Sequence, residues 1–406
     1  MNRLKYPVCR AAILLVLLSA APLCGEAGAS TPIVRIDVLG LFRPQAVELA
    51  AVDAATVSVD DGAEPGRVLS PGAVIALSRD GERVRAVMAG QDPADGRGWV
   101  VTPAAPDGRI EVRLANGFRR VFRGSVAVRP AAAGGWLQLV AHRPFDDYVA
   151  GVVAAELGTA APPAAIQALA AAVRTQALRW RGRHADTGCD LCDNTHCMLY
   201  QGEENGAASI SRTLAPTRDA VLVRSGRLAL APFSACCGGA PLPAAWIWPG
   251  VKGAGPARPC DRCRESPDAV WTADVVGSDF LSRIGSALGW FAPAEIRVEE
   301  PPGRSPVVVL AGDHGERRIP VEEFRIACGR TFGWNLIRSN RFQVRQAGDR
   351  LMFTGRGFGH NAGLCLAGAV AMARAGATAD AILDFYFPGC RRDRKSTRLN
   401  SSHGKL

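Results

Sequence analysis

Near residue 144 the hydrophobic pattern of this chain changes period, so it must build strands first and helices afterwards. Between 32 and 140, short apolar or alternating runs (IVRIDVL, ATVSVD, RVRAVMA, RIEVRL, SVAVRP) are separated by DDG, DG, PG and GG. Alternation buries one face of each run, and the glycine-bearing pairs supply tight turns, so short strands are expected here. From 144 to 182 the chain turns alanine-rich, with apolar residues three and four apart. Pro144 and Asp146 open one expected helix and Gly158 closes it; Pro162-Pro163 open a second that runs to about Arg181. Strands are expected again at 220–234, near 270–276, at 305–311 and at 341–354, with a helix pair over roughly 366–386. The fold class is therefore α+β: a β-rich N-terminal region, 30–140, followed by a mixed helix/strand region, 141–390, that carries the chemistry. A length of 406 residues fits more than one folding unit.

The two ends differ from the body. Arg3, Lys5 and Arg10 precede the apolar run AAILLVLLSAAPL at 11–23, and Ala27-Gly28-Ala29 offers a small-residue cleavage pattern. Residues 1–29 are therefore expected to be a secretory signal peptide, since the run is too short to span a bilayer core of ~30 Å. Residues 391–406 read as a disordered or extraneous tail. The formal charge of +10 is concentrated in these ends, and residues 30–390 retain only +3. A nucleic-acid binder carries its basic stripe within the fold, so DNA and RNA are not expected partners.

Three groups of residues could carry chemistry. In FDDYVAGVVAAEL the stripe Val149, Val152, Val153 and Leu157 is joined at its edge by Glu156, in the helix's last turn. Apolar neighbours and the helix dipole both disfavour a carboxylate there, which raises its pKa towards that of a general acid working near neutrality. A snorkelling surface glutamate has the same pattern. In the next helix Ile166, Leu169, Ala170, Val173, Ala177 and Trp180 share one face, and Gln167, Arg174 and Arg181 share another. Arg174 could orient a carboxylate or sugar, or lie exposed without function.

The segment HADTGCDLCDNTHC packs His184, Cys189, Cys192, His196 and Cys197 into fourteen residues. Thiolates with imidazoles suit zinc in a closed four-ligand site; five candidates compete for four places, and Cys189 competes with His184. A Cys189–Cys192 disulfide or free buried thiols are the alternatives. Cys236-Cys237 and Cys260-x-x-Cys263 form a second cluster, where disulfides are expected ahead of another metal. Finally, GRGFGHNAG at 355–363 frames His360 with glycines, either for close approach of a polymer or as a plain turn; no lysine follows at phosphate-loop spacing.

In order, FDDYVAGVVAAEL, AAVRTQAL, CDNTHCMLYQG, SACCGG and GRGFGHNAGLCLAGAVAMA with AILDFYFPG resemble the stage II sporulation protein D family, also called the amidase-enhancer family, over roughly 140–390. The resemblance implies an exported lytic transglycosylase of peptidoglycan, in the periplasm or the extracellular envelope. It implies Glu156 as catalytic acid/base, Arg174, Tyr200 and His360 as substrate-binding residues, and structural zinc on His184, Cys192, His196 and Cys197. Peptidoglycan glycan strands are the implied partner, with a cell-wall amidase or other envelope proteins as further ones. Asn361 and Ala362 depart from the family's usual Gly-Val, Cys365-Leu366 from serine and glutamine, and Met198-Leu199 from Gln-Val; these departures bear on fine substrate contacts. A wall-binding enhancer of an amidase that does not itself cleave is the alternative. A zinc hydrolase would need an open metal position, which a thiolate-rich closed site does not offer.

Overall fold

A computed structural model describes residues 32–59, 67–202, 206–253, 255, 257–290, 293–313 and 315–393. The expected signal peptide at 1–29 lies outside them, as does the tail from 394 onward. The fold is mixed α+β, with strands dominating the N-terminal region.

The N-terminal strands form two sheets. The first has seven strands in the order Leu191–Cys192, Ile33–Val38, Leu137–Pro144, Val126–Pro130, Trp99–Pro103, Ala55–Val59 and Arg67–Leu69. The second has six, in the order Arg119–Arg123, Arg109–Leu114, Ala46–Ala51, Val74–Asp80, Arg83–Met88 and Ala94–Gly96. Period-two burial runs through them: in Ile33–Val38, Val34, Ile36 and Val38 are buried while Ile33 and Arg35 face outward. The Trp99 indole donates to the Val84 carbonyl at 2.9 Å, tying one sheet to the other inside the core.

Helix α1 (Phe145–Leu157) follows the strand Leu137–Pro144 directly, and α2 (Pro163–Trp180) follows it; both bounds match the proline and glycine signals. Five helices follow before the last: α3 (Ala207–Leu214), the short α4 (Ala244–Ile247), α5 (Gly277–Ala287), α6 (Val321–Phe332) and α7 (Leu366–Arg374). The last is α8 (Ala379–Tyr386). Helix α2 is central, packed by α1, α3, α7, α8 and the strand Val221–Arg224. The boundary expected at 140/141 falls inside the strand Leu137–Pro144, and one hydrophobic core runs across it from Val34 to Phe387.

A second core lies within the later region. Strands Val270–Val276, Arg350–Arg356 and Phe342–Ala347 form one three-stranded sheet, and Glu295–Glu299, Val307–Gly312 and Gly315–Pro320 form another. With α5 and α6 they enclose Trp271, Phe280, Ile284, Leu310, Phe324 and Phe353. Residues 270–356 thus form a module with a core of its own. One expectation is corrected at the C-terminus. Arg391–Asp393 belongs to the fold, because it pairs antiparallel with Val221–Val223, so a tail can begin only after Asp393.

Candidate active site and metal centre

The first ligand cluster hangs from the edge of the seven-stranded sheet. Leu191 and Cys192 pair in parallel with Ile36 and Asp37, which fixes the register of the whole 189–197 loop. Two aspartates within that loop lock it down. Asp190 accepts from the Arg35 backbone at 2.9 Å and its guanidinium at 3.3 Å. Asp193 accepts from the Leu39 N–H at 2.9 Å and from Arg120 at 3.2 Å. Burial nevertheless pushes the Asp193 carboxyl up to about 6. These anchors were missed from sequence; the aspartates that alternate with the cysteines in CDLCDN were their only local signal.

Held this way, one nitrogen or sulfur from each of His184, Cys192, His196 and Cys197 lies within 4.8 Å of every other. The His184 Nε2 stands 3.3 Å from the Cys197 Sγ, and the His196 Nδ1 stands 3.7 Å from the Cys192 Sγ. The hydrogen bond between the two thiols pushes Cys192 up to about 12 and draws Cys197 below the usual thiol range. Two sulfurs and two imidazoles converging on one point form a donor set that fits zinc. Arg183 lies 3.1 Å from the His196 Nε2 and donates to the His196 carbonyl at 3.0 Å; were His196 to hold a metal through Nδ1, Nε2 would carry the ring hydrogen and the carbonyl would be the acceptor that holds Arg183. Arg183 also lies over the Trp180 ring.

Cys189 stands apart from this set. Its thiol is buried beside Ala127 and Val140, contacts the Thr187 carbonyl, and accepts from Gln138 at 3.4 Å. The competition between Cys189 and His184 therefore resolves in favour of His184 in this geometry.

Glu156 lies beside the same loop. The Leu199 N–H, two residues past Cys197, donates to its carboxylate, while the side chain keeps part of its surface open. Burial is the dominant cause of its shift and pushes the carboxyl up to about 7 against that one hydrogen bond. Among the described residues no charged group contributes to this shift, and desolvation is what raises the carboxyl.

Two expected substrate residues are placed differently. Arg174 is 1% exposed and reaches the Ala220 carbonyl at 3.3 Å, the Thr217 carbonyl at 3.4 Å and Asp146 at 3.5 Å. Surrounded on α2, it fastens the start of α1 to the 215–220 turn and has no open face to offer a sugar. Its neighbours Thr175 and Gln176 do similar work, accepting from the Leu222 and Ala231 N–H groups. Tyr200 is also 1% exposed, stacked between Tyr148 and Phe122. A Cβ at Gly151 would come within 2.5 Å of the Tyr200 ring, so the glycine in α1 lets the metal loop pack directly on the helix that carries Glu156. Tyr200 is a packing residue that positions the loop.

His360 belongs to a separate group of neighbours. Its Nδ1 accepts from the Ala362 N–H at 3.0 Å, and its ring meets Trp248 edge-on at 5.0 Å. Burial pushes it down to about 4, so it is neutral at pH 7, with Nε2 carrying the hydrogen. The loop around it is held by Asn361, fully buried at φ 58, whose Oδ1 accepts from the Asn340 N–H at 2.9 Å. Its amide donates to the Cys236 and Arg356 carbonyls. Asparagine tolerates this left-handed conformation better than most residues, which explains how it replaces glycine here. The departure at 361 is thus a backbone matter rather than a substrate contact. Asn340 in turn accepts from Arg325, which pairs with Glu322, so α6 of the module is coupled to the His360 loop.

Residues 133–223 match the protein-family model described as SpoIID, stage II sporulation protein. That region holds α1, α2 and the first metal cluster, with Glu156, while His360 lies outside it. The chain is 26% identical over 288 residues to stage II sporulation protein D of Bacillus subtilis, covering 66% of this chain and 80% of that protein. It is 24% identical over 270 residues to the protein of the same name from Bacillus amyloliquefaciens, covering 62% and 74% respectively. An uncharacterized protein of Brachyspira hyodysenteriae is 26% identical over 251 residues, covering 60% of this chain and 65% of that one.

Proposed function

We propose that this SpoIID-type protein is an exported lytic transglycosylase that cleaves the MurNAc-GlcNAc bond of peptidoglycan with Glu156 as its single acid/base. The observation that carries this reading is the state of Glu156: a carboxyl raised to about 7 by burial and touched by the Leu199 N–H, with no carboxylate among the described residues contributing to its shift. A retaining or inverting glycosidase sets a second carboxylate roughly 5–9.5 Å from the first, where its charge would act on the acid. Lytic transglycosylation needs one carboxyl only, because the muramyl 6-hydroxyl of the substrate is the nucleophile.

Glu156, protonated at neutral pH, donates its proton to the glycosidic oxygen as the anomeric C–O bond breaks. The resulting carboxylate takes the proton from the 6-hydroxyl as that oxygen bonds to the anomeric carbon, which leaves a 1,6-anhydro end and restores the acid. The Leu199 N–H steadies the carboxylate between the two steps. A zinc ion on His184, Cys192, His196 and Cys197 would supply rigidity to the 192–200 loop. Four protein ligands leave it no position for an activated water.

Mass spectrometry of products from purified glycan strands tests the proposal. Anhydro-muramyl ends are the expected result. Reducing ends formed with uptake of water would indicate a hydrolase. No cleavage, together with stimulation of an added cell-wall amidase, would favour the non-catalytic enhancer instead.

A further inference from the structure

The cysteines expected to form disulfides sit in a different arrangement. All ten cysteines among the described residues are free thiols. The sulfurs of Cys237, Cys260, Cys263 and Cys365 all lie within 4.8 Å of one another, and Cys237 and Cys263 are 3.6 Å apart. We propose that these four residues hold a second zinc ion as a closed tetrathiolate, distinct from the His184 centre, and that it clamps the loop carrying His360.

The spacing suits a metal. Zinc–sulfur bonds of about 2.3 Å in a tetrahedron put neighbouring sulfurs about 3.8 Å apart, close to the 3.6 Å between Cys237 and Cys263 and inside the 4.8 Å that spans the quartet. Cys260 and Cys263 form a C-x2-C pair, and the other two ligands come from segments more than a hundred residues apart in the chain. All four are buried, and the surrounding donors are aimed at sulfur. The N–H groups of Cys237 and Gly368 point at the Cys365 Sγ at 3.3 and 3.4 Å, and the Tyr386 hydroxyl lies 3.1 Å from the Cys260 Sγ. Such outer donors favour thiolate and fix ligand direction around a metal. Gly368 is required by this packing, since a Cβ there would meet the Tyr386 hydroxyl at 2.0 Å and the Cys260 Sγ at 3.0 Å. Cys236 is a fifth thiol in hydrogen-bonding reach of Cys263 and Cys365, outside the quartet that meets at one point.

The site's place in the fold gives it a task. Ser234 and Cys365 pair in a two-stranded ladder, and Cys236 exchanges backbone hydrogen bonds with Phe358, so the quartet closes the base of the 357–363 loop. Loading the site exchanges four thiol protons for one divalent cation, with no change of oxidation state, and the binding energy becomes stability of the folded state. This proposal does not depend on what Glu156 does.

The test is zinc stoichiometry and cobalt(II) spectroscopy on the full chain and single variants. Wild type should hold two zinc ions, His184→Ala and Cys365→Ser one each, and Cys390→Ser both. Cobalt loaded into His184→Ala should show the all-sulfur charge-transfer spectrum, and removal of its metal should speed hydrogen exchange at 357–365. A folded His184→Ala protein without metal would overturn the proposal, whether its thiols were free or its intact mass showed disulfides. So would iron at that site, or a cobalt spectrum of mixed nitrogen and sulfur ligation. Because the His184→Ala arm leaves the quartet untouched, the test stands even where Cys365→Ser fails to fold.

Discussion

At the scale of single residues, burial decides what each candidate can do. Glu156 folds with its pKa raised from 4.5 to about 7, so the folded state binds more protons than the unfolded one between those values. Its contribution to stability is therefore favourable below about pH 4.5 and is lost as pH rises towards 7. Glu156→Gln should remove this dependence and stabilise the protein above pH 7 by up to ~3 kcal/mol, read from urea unfolding at pH 5 and pH 8. Identical pH dependence in the variant would mean that the carboxyl is not desolvated. Because the protonated form begins the reaction, kcat/KM on glycan strands should fall as pH rises through about 7. A flat profile up to pH 9 would contradict that assignment. Arg174 calls for the opposite kind of change. Arg174→Met leaves the Thr217 and Ala220 carbonyls without that donor, while Asp146 keeps Arg218 at 3.6 Å, and should cost about 1–3 kcal/mol of stability while leaving the KM of the folded fraction unchanged. A raised KM with intact stability would return Arg174 to the cleft.

Among the elements, α1 and the metal loop work as a pair, because Gly151 admits the Tyr200 ring. Gly151→Ala puts a methyl where that ring sits and should cost ~1–3 kcal/mol. It should also lower kcat, because shifting Tyr200 moves the neighbouring Leu199 N–H away from Glu156. Thermal melts and initial rates on the same preparation check both effects, and a variant unaffected in each would dissolve the proposed coupling. Some element bounds were legible in the sequence: Pro144 with Gly158 and Pro162-Pro163 mark α1 and α2, and strands appear near 270–276 and within 341–354 as expected, whereas α3, α5 and α6 were not foreseen. The environment of α2 was not legible. Its alanines give a weak stripe, so Gln167, Arg174 and Arg181 read as a polar face when they in fact donate to the Thr213, Ala220 and Ile33 carbonyls of neighbouring segments. The first metal cluster was readable because its ligands are close in sequence. Cys365 was missed as a partner of Cys260 and Cys263 because local spacing carries no signal over such a separation.

For the whole molecule, the stretch 133–223 that matches the SpoIID family model is extended by a strand-rich N-terminal region and by a module at 270–356, which α6 couples to the His360 loop through Arg325 and Asn340. If metal is structural, stripping it with a chelator should lower the melting temperature, and activity should decline only in step with the folded fraction. Activity lost from protein that remains fully folded would assign the metal to the chemistry instead. The central claim is that one carboxyl performs the cleavage. It is tested most directly by incubating wild type and Glu156→Gln with the same purified glycan strands and analysing products by mass spectrometry, with folding and strand binding verified for both. The account predicts abundant 1,6-anhydro-muramyl ends from wild type and none above background from the folded, strand-binding variant; anhydro products formed by Glu156→Gln at the wild-type rate would contradict it.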